Sequence, residues 1–146
     1  HEGDSRLFRA PTSGGPSERL TDDTAFTPAF SADGTRLAFY YVDRASNRFR
    51  IGIIPAGGGP LALSLEAEPP PAGGRMLFRD EGLYVNSVPR DRANVWLLPL
   101  DGRPPRPVTD FEDLQLYGFA LSPDGRTLAY SRGPRIRDAL LIRGFR

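Results

Sequence analysis

Few side chains in this sequence could carry chemistry. It holds one histidine, His1, with no partner nearby in sequence, and no cysteine. Thiolate zinc sites, cysteine nucleophiles and a serine–histidine dyad therefore have no foundation in the residue set. No Gly-x-Ser-x-Gly elbow occurs, and with every basic residue an arginine, a lysine-bearing phosphate loop is excluded. Gly57-Gly58-Gly59 could offer amides to a phosphate, but it sits at a recurring turn rather than ahead of a helix. The acidic pairs Asp22-Asp23 and Glu112-Asp113 supply hard oxygen donors for a cation, or are plain solvated loops. Glu68-Pro69-Pro70-Pro71 reads either as a polyproline ligand or as a stiff connector. The residues predict a protein with no catalytic group, no metal and no cofactor.

Recognition chemistry has better material. Arg90 and Arg92 flank Asp91, while Arg44 with Arg48, and Arg135 with Arg137, fall at matching places in neighbouring units. Guanidinium forks suit a carboxylate or an anionic peptide. Acidic residues share the neighbouring loops and the net charge is only +1, so nucleic acid is not an expected partner. These seven residues form the candidate binding rim. Trp96 lies in the apolar run VWLLPL and is expected to pack in the core.

The elements that position the rim come from a repeat. FSADGTRLAF (30–39) returns as LSPDGRTLAY (121–130), and a worn copy, MLFRDEGLYVNS (76–87), stands between them. A second ladder advances in steps of 44: LFRAPTSGG from Leu7, IGIIPAGGG from Ile51, VWLLPLDGR from Val95, and then ALLIRGFR from Ala139. In its first three copies an apolar run meets Pro11, Pro55 or Pro99, and Gly14, Gly58 or Gly102 follows three residues later. Two interleaved ladders of one period establish an internal repeat.

Each unit reads as four short antiparallel strands. Asp-Gly turns supply the positive φ that tight hairpins need, and a proline without an amide donor ends the third strand. Across Thr35 to Val42, Leu37, Phe39 and Tyr41 alternate with Ala38, Tyr40 and Val42, so both faces are apolar. That pattern belongs to a sheet sandwiched between neighbours. The chain is expected to be all-β throughout. Its divisions are 1–23 (the end of a preceding unit), 24–67, the degenerate 68–111, and 112–146, which lacks a fourth strand. With 39% hydrophobic and 25% charged residues the composition is that of an ordinary globular domain, and no apolar run is long enough to insert in a membrane.

A four-stranded unit of this period is the size of a β-propeller blade. The SPDG phrases, each followed by an apolar strand and a glycine-rich turn, resemble the WD-like repeats of TolB-type propellers. The ending SPDGRTLAYSRG…ALLIRGFR is also similar to the last blade of bacterial propellers joined to kinase or winged-helix regulatory domains. The resemblance implies a β-propeller fragment of about three four-stranded blades, an incomplete ring whose remaining blades belong to a longer parent chain. It further implies a protein or peptide partner rather than a substrate, a bacterial source and a periplasmic or other extracytoplasmic location. A start at His1 instead of Met fits a processed product or an excised piece. The alternative expectation is the propeller accessory domain of a prolyl-oligopeptidase-type serine peptidase whose hydrolase domain is absent here.

Overall fold

The computed structural model describes residues 5–70, 74–87, 94–112 and 115–134. Among these residues there are twelve strands and no helix. The strands form four antiparallel sheets, none of them closed. The first sheet pairs β1 (Phe8–Arg9) with β2 (Glu18–Arg19). The second runs β3 (Ala25–Phe30), β4 (Arg36–Asp43), β5 (Arg48–Pro55) and β6 (Leu63–Glu66), side by side in chain order. The third repeats that meander with β7 (Met76–Arg79), β8 (Gly82–Ser87), β9 (Asn94–Pro99) and β10 (Arg106–Pro107). The fourth is the hairpin of β11 (Gln115–Leu121) and β12 (Leu128–Gly133). The apolar run ALLIRGFR from Ala139, the last step of the 44-residue ladder, lies outside the described residues.

The Ser-x-Asp-Gly phrase recurs because its side chains build the turn. Ser31 donates its hydroxyl to Asp33 Oδ1 at 2.6 Å and accepts the Arg36 amide at 2.9 Å, while the Thr35 amide reaches the same carboxylate oxygen at 3.0 Å. Gly34 at φ +70° closes the loop by donating its amide to the Ser31 carbonyl. Ser122, Asp124 and Gly125 repeat this network, with the Thr127 amide on Ser122 Oγ at 2.9 Å and the Arg126 amide on Asp124 Oδ1 at 3.1 Å. The worn copy needs none of this. There Arg79 pairs with Gly82 across a two-residue turn, and the Tyr84 hydroxyl donates to Glu81. The 44-residue ladder has its own explanation. Pro55 and Pro99 are the last residues of β5 and β9, and Gly14 and Gly58 close equivalent turns by donating to the Pro11 and Pro55 carbonyls.

Asp33 offers a test of the turn. The Ser31 hydroxyl and then the Thr35 amide and hydroxyl hold its carboxyl at about 2, below the ordinary 3.8. A lowered folded-state pKa stabilises the fold above 3.8, and that contribution disappears as pH falls toward 2. Asp33→Asn is expected to reduce the drop in melting temperature between pH 4 and pH 2, an effect read by circular dichroism. An unchanged acid limb in that variant would show that the turn carboxylate does not couple to folding.

Packing follows the alternation along the strands. One face of the second sheet buries Ala25, Leu37, Phe39, Tyr41 and Ile54 against Leu7, with Leu20 beside them. Its other face buries Ala38, Tyr40, Ile51 and Ile53 against Met76, Phe78, Leu83, Val85 and Leu98 of the third sheet. The third sheet's far face places Tyr84, Val95 and Leu97 against Phe111, Leu116 and Phe119. The sheets therefore stack in chain order, and each covers its neighbour's apolar side. Each fully buried Phe, Leu or Ile in these layers contributes about 1.5–3 kcal/mol relative to exposure.

Spacing between sheets is uneven. The first strands β3 and β7 make the most extensive backbone approach between different sheets. The last hairpin departs from the sandwich that the matching phrase 30–39 leads one to expect for LSPDGRTLAY. Leu128 is half-buried and Tyr130 is 49% exposed. The fourth sheet rests one face on the third sheet, and no described sheet covers its other face.

Candidate functional site

Between the second and third sheets, on the side of their outer strands, lies a cleft of about 600 Å³. That volume falls within the range of sites that hold small molecules or inserted side chains. Its floor is Tyr40 from β4, Val85 from β8, and Trp96 and Leu98 from β9. These residues face inward because alternation on β8 and β9 turns Val85, Trp96 and Leu98 toward the second sheet while Tyr84, Val95 and Leu97 face the fourth. Phe49, at the start of β5, forms one wall; Ala67, Pro69 and Pro105 complete the lining.

The floor is an aromatic assembly. The ring of Tyr40 stacks on Phe26 at 5.9 Å, and Phe49 meets Phe26 edge-on at 6.1 Å. Burial pushes the Tyr40 phenol up to about 12, so it remains neutral at physiological pH and cannot act there as a base. Trp96 is half-buried, and its Nε1 is buried without a hydrogen-bond partner among the described residues. A buried indole N–H usually finds an acceptor, so this donor is an unmet group in the wall of the cleft.

Charge is confined to the mouth, where Arg48, Arg50, Glu66 and Glu68 contribute both signs. Arg50 is fixed, its Nε donating to Ser64 Oγ at 2.6 Å and its Nη2 to the Ser64 carbonyl at 3.3 Å. Arg48 is exposed, and its guanidinium makes no hydrogen bond or ion pair among the described residues.

The expected rim is only partly within view. Arg44 lies in the β4–β5 connection and Arg48 opens β5, and the two do different things. Arg44 pairs with Asp23 at 2.6 Å, which ties the β4–β5 connection to the loop before β3, whereas Arg48 lines the cleft. Arg90, Asp91, Arg92, Arg135 and Arg137 lie outside the described residues. Asp22 pairs with Arg19 at 2.7 Å, so the first acidic pair is engaged by arginines; in the second, Asp113 lies outside the described residues. No group of three metal-ligating side chains occurs among the described residues. Gly58 and Gly59 take φ +89° and +123° in a turn closed on Pro55, as their place in the repeat predicted. Glu68 and Pro69 are part of the cleft lining, while Pro71 lies outside the described residues.

Sequence reasoning missed the cleft itself. Tyr40, Trp96 and Leu98 stand in apolar runs that read as core, and their alternation does place them on inward faces. The clue available was the place of Trp96 on β9, next to an edge strand, β10, that is only two residues long. A large side chain beside so short an edge strand has less sheet around it than one deeper in the meander. No helix among the described residues is long and apolar enough to cross a membrane. Compared with known proteins, the chain matches no family model, and no curated protein matches it.

Proposed function

We propose that this chain is an arc of a larger β-propeller and works as a non-catalytic binding module for a protein or peptide, with the cleft between its second and third sheets as the docking site. Stacked four-stranded meanders, repeated turn chemistry and the close approach of the first strands support the propeller reading. In that arrangement inner strands gather about an axis and outer strands diverge, so a wedge-shaped gap on the outer side is expected. The TolB-type resemblance of the SPDG phrases favours a protein partner over a substrate. The remaining blades of the parent chain would close the ring.

One observation carries the binding role: an aromatic-floored cleft with charged side chains of both signs at its mouth. Apolar floors supply affinity and a polar rim supplies register. The test is selection of displayed random peptides on the immobilised chain, with Ala67→Arg as the counter-selected variant. Ala67 lines the cleft and is only partly buried, so a long side chain there obstructs the opening without deleting core volume. Peptides enriched on the native chain are expected to lose at least about tenfold in affinity on the variant, the equivalent of one good contact. Equal binding to both chains, or no enrichment, would remove the cleft as the docking site.

A further inference from the structure

We infer that the cleft selects proline-rich, extended peptide, and that the Trp96 indole N–H orients it by donating to a peptide carbonyl. This inference rests on the binding reading above and names its ligand class. The argument begins with the unmet donor. Trp96 Nε1 is shielded from solvent and has no acceptor among the described residues, so the free protein carries an unsatisfied polar group. Leaving such a group unpaired is costly, and a ligand that pairs it gains what the free state lacks.

The lining then restricts which ligand fits. Tyr40, Phe49 and Trp96 present ring surfaces, and Leu98 and Val85 are apolar. The unsatisfied group, shielded behind the cleft lining, is a donor, so the matching ligand carries acceptors and brings no buried donors of its own. A run of prolines has that composition: every residue offers a carbonyl and none has an amide hydrogen. Polyproline II segments are also preformed, lose little entropy on docking, and lay their rings against aromatic grooves. Arg48, exposed and unengaged among the described residues, stands at the mouth where further carbonyls of an extended ligand would emerge. Entry requires a slight parting of the wall around the shielded N–H, at the side of the stack away from the close β3–β7 contact.

The chain has a single tryptophan, so it gives one indole N–H resonance, and that resonance reports on this group alone. The experiment titrates an acetylated hexaproline amide, and an acetylated alanine–glycine hexapeptide amide of equal length, into the native chain and into Trp96→Phe. Proton–nitrogen correlation spectra supply the readout. Hexaproline is expected to shift the indole resonance and the backbone amides of Tyr40, Val85 and Leu98, and to bind several-fold more tightly than the alanine–glycine peptide. Trp96→Phe keeps a ring but loses the donor, and its affinity for hexaproline is expected to fall about three- to tenfold. Cleft amides that shift equally in Trp96→Phe, with unchanged affinity, would overturn the orienting role and leave peptide binding intact. Equal affinity for the two peptides, or library-selected cleft binders that lack proline, would overturn the proline preference. A chain that binds selected peptides only at another surface would overturn both the inference and the docking site on which it rests.

Discussion

Phe78→Ala is expected to destabilise the protein by about 3–5 kcal/mol, the range for removing a buried aromatic ring. Phe78 is 1% exposed and has the largest side chain among the fully buried residues. It projects from β7 into the layer between the second and third sheets, among Ala38, Tyr40, Ile53, Met76 and Leu83. The Arg36 guanidinium lies over its ring, 4.8 Å from the centroid, so truncation also removes a cation–π contact. The site cannot collapse easily, because β3 and β7 already meet at this side of the interface. A domain of this size has about 5–15 kcal/mol in hand, so the loss would be a large share of it. Urea unfolding should show a lower midpoint with an unchanged slope. A shift worth less than about 1 kcal/mol would mean that the two sheets do not depend on this layer.

Gly82→Ala is the second large effect, and its cause is backbone rather than side chain. Gly82 opens β8 with φ +147°, and a Cβ placed there would lie 2.3 Å from the Leu98 carbonyl oxygen on the neighbouring strand. Neither atom is on a flexible side chain, so the β8–β9 ladder must shift. Strained φ and forced overpacking together suggest a cost of roughly 2–5 kcal/mol. Gly34→Ala is the control. Its φ of +70° is also positive, but a methyl group there meets nothing within 4 Å. That substitution carries left-handed strain alone, about 1–2 kcal/mol. Thermal unfolding of both variants separates the two contributions, and equal losses would refute the close-approach argument. Asp80-Glu81-Gly82 reads in sequence as a degraded turn, yet the structure gives its glycine the tightest surroundings of any described glycine.

Much of the fold was legible because its causes are local. A serine, an aspartate and a glycine within five residues make a complete hairpin turn from their own hydrogen bonds, so the phrase announces the hairpin wherever it occurs. A proline at the end of β5 or β9 stops a strand without help from elsewhere. Apolar residues on both faces of β4 required neighbours on both sides, and the two buried layers supply them. The weak point was the last hairpin. Leu128 and Tyr130 match Leu37 and Phe39 of the earlier copy in pattern but not in burial. Period alone assigns equivalent strands; it says nothing about whether a further layer covers them.

The candidate site divides in the same way. Arg44 and Arg48 were equivalent as members of one polar connection, but an aspartate distant in sequence claims Arg44 and leaves Arg48 at the cleft. Trp96 was correctly placed on an apolar strand, yet whether its indole N–H would find an acceptor depended on what the facing sheet offers.

By itself the sequence determined the strands, their turns, their alternation and the need to stack, since these follow from hydrogen bonds and side-chain directions within a few residues. Tertiary structure alone decided where neighbouring sheets meet and where they part, because that depends on how two twisted surfaces fit over their whole area. The cleft, with its unmet donor and its divided charges, is a product of that fit.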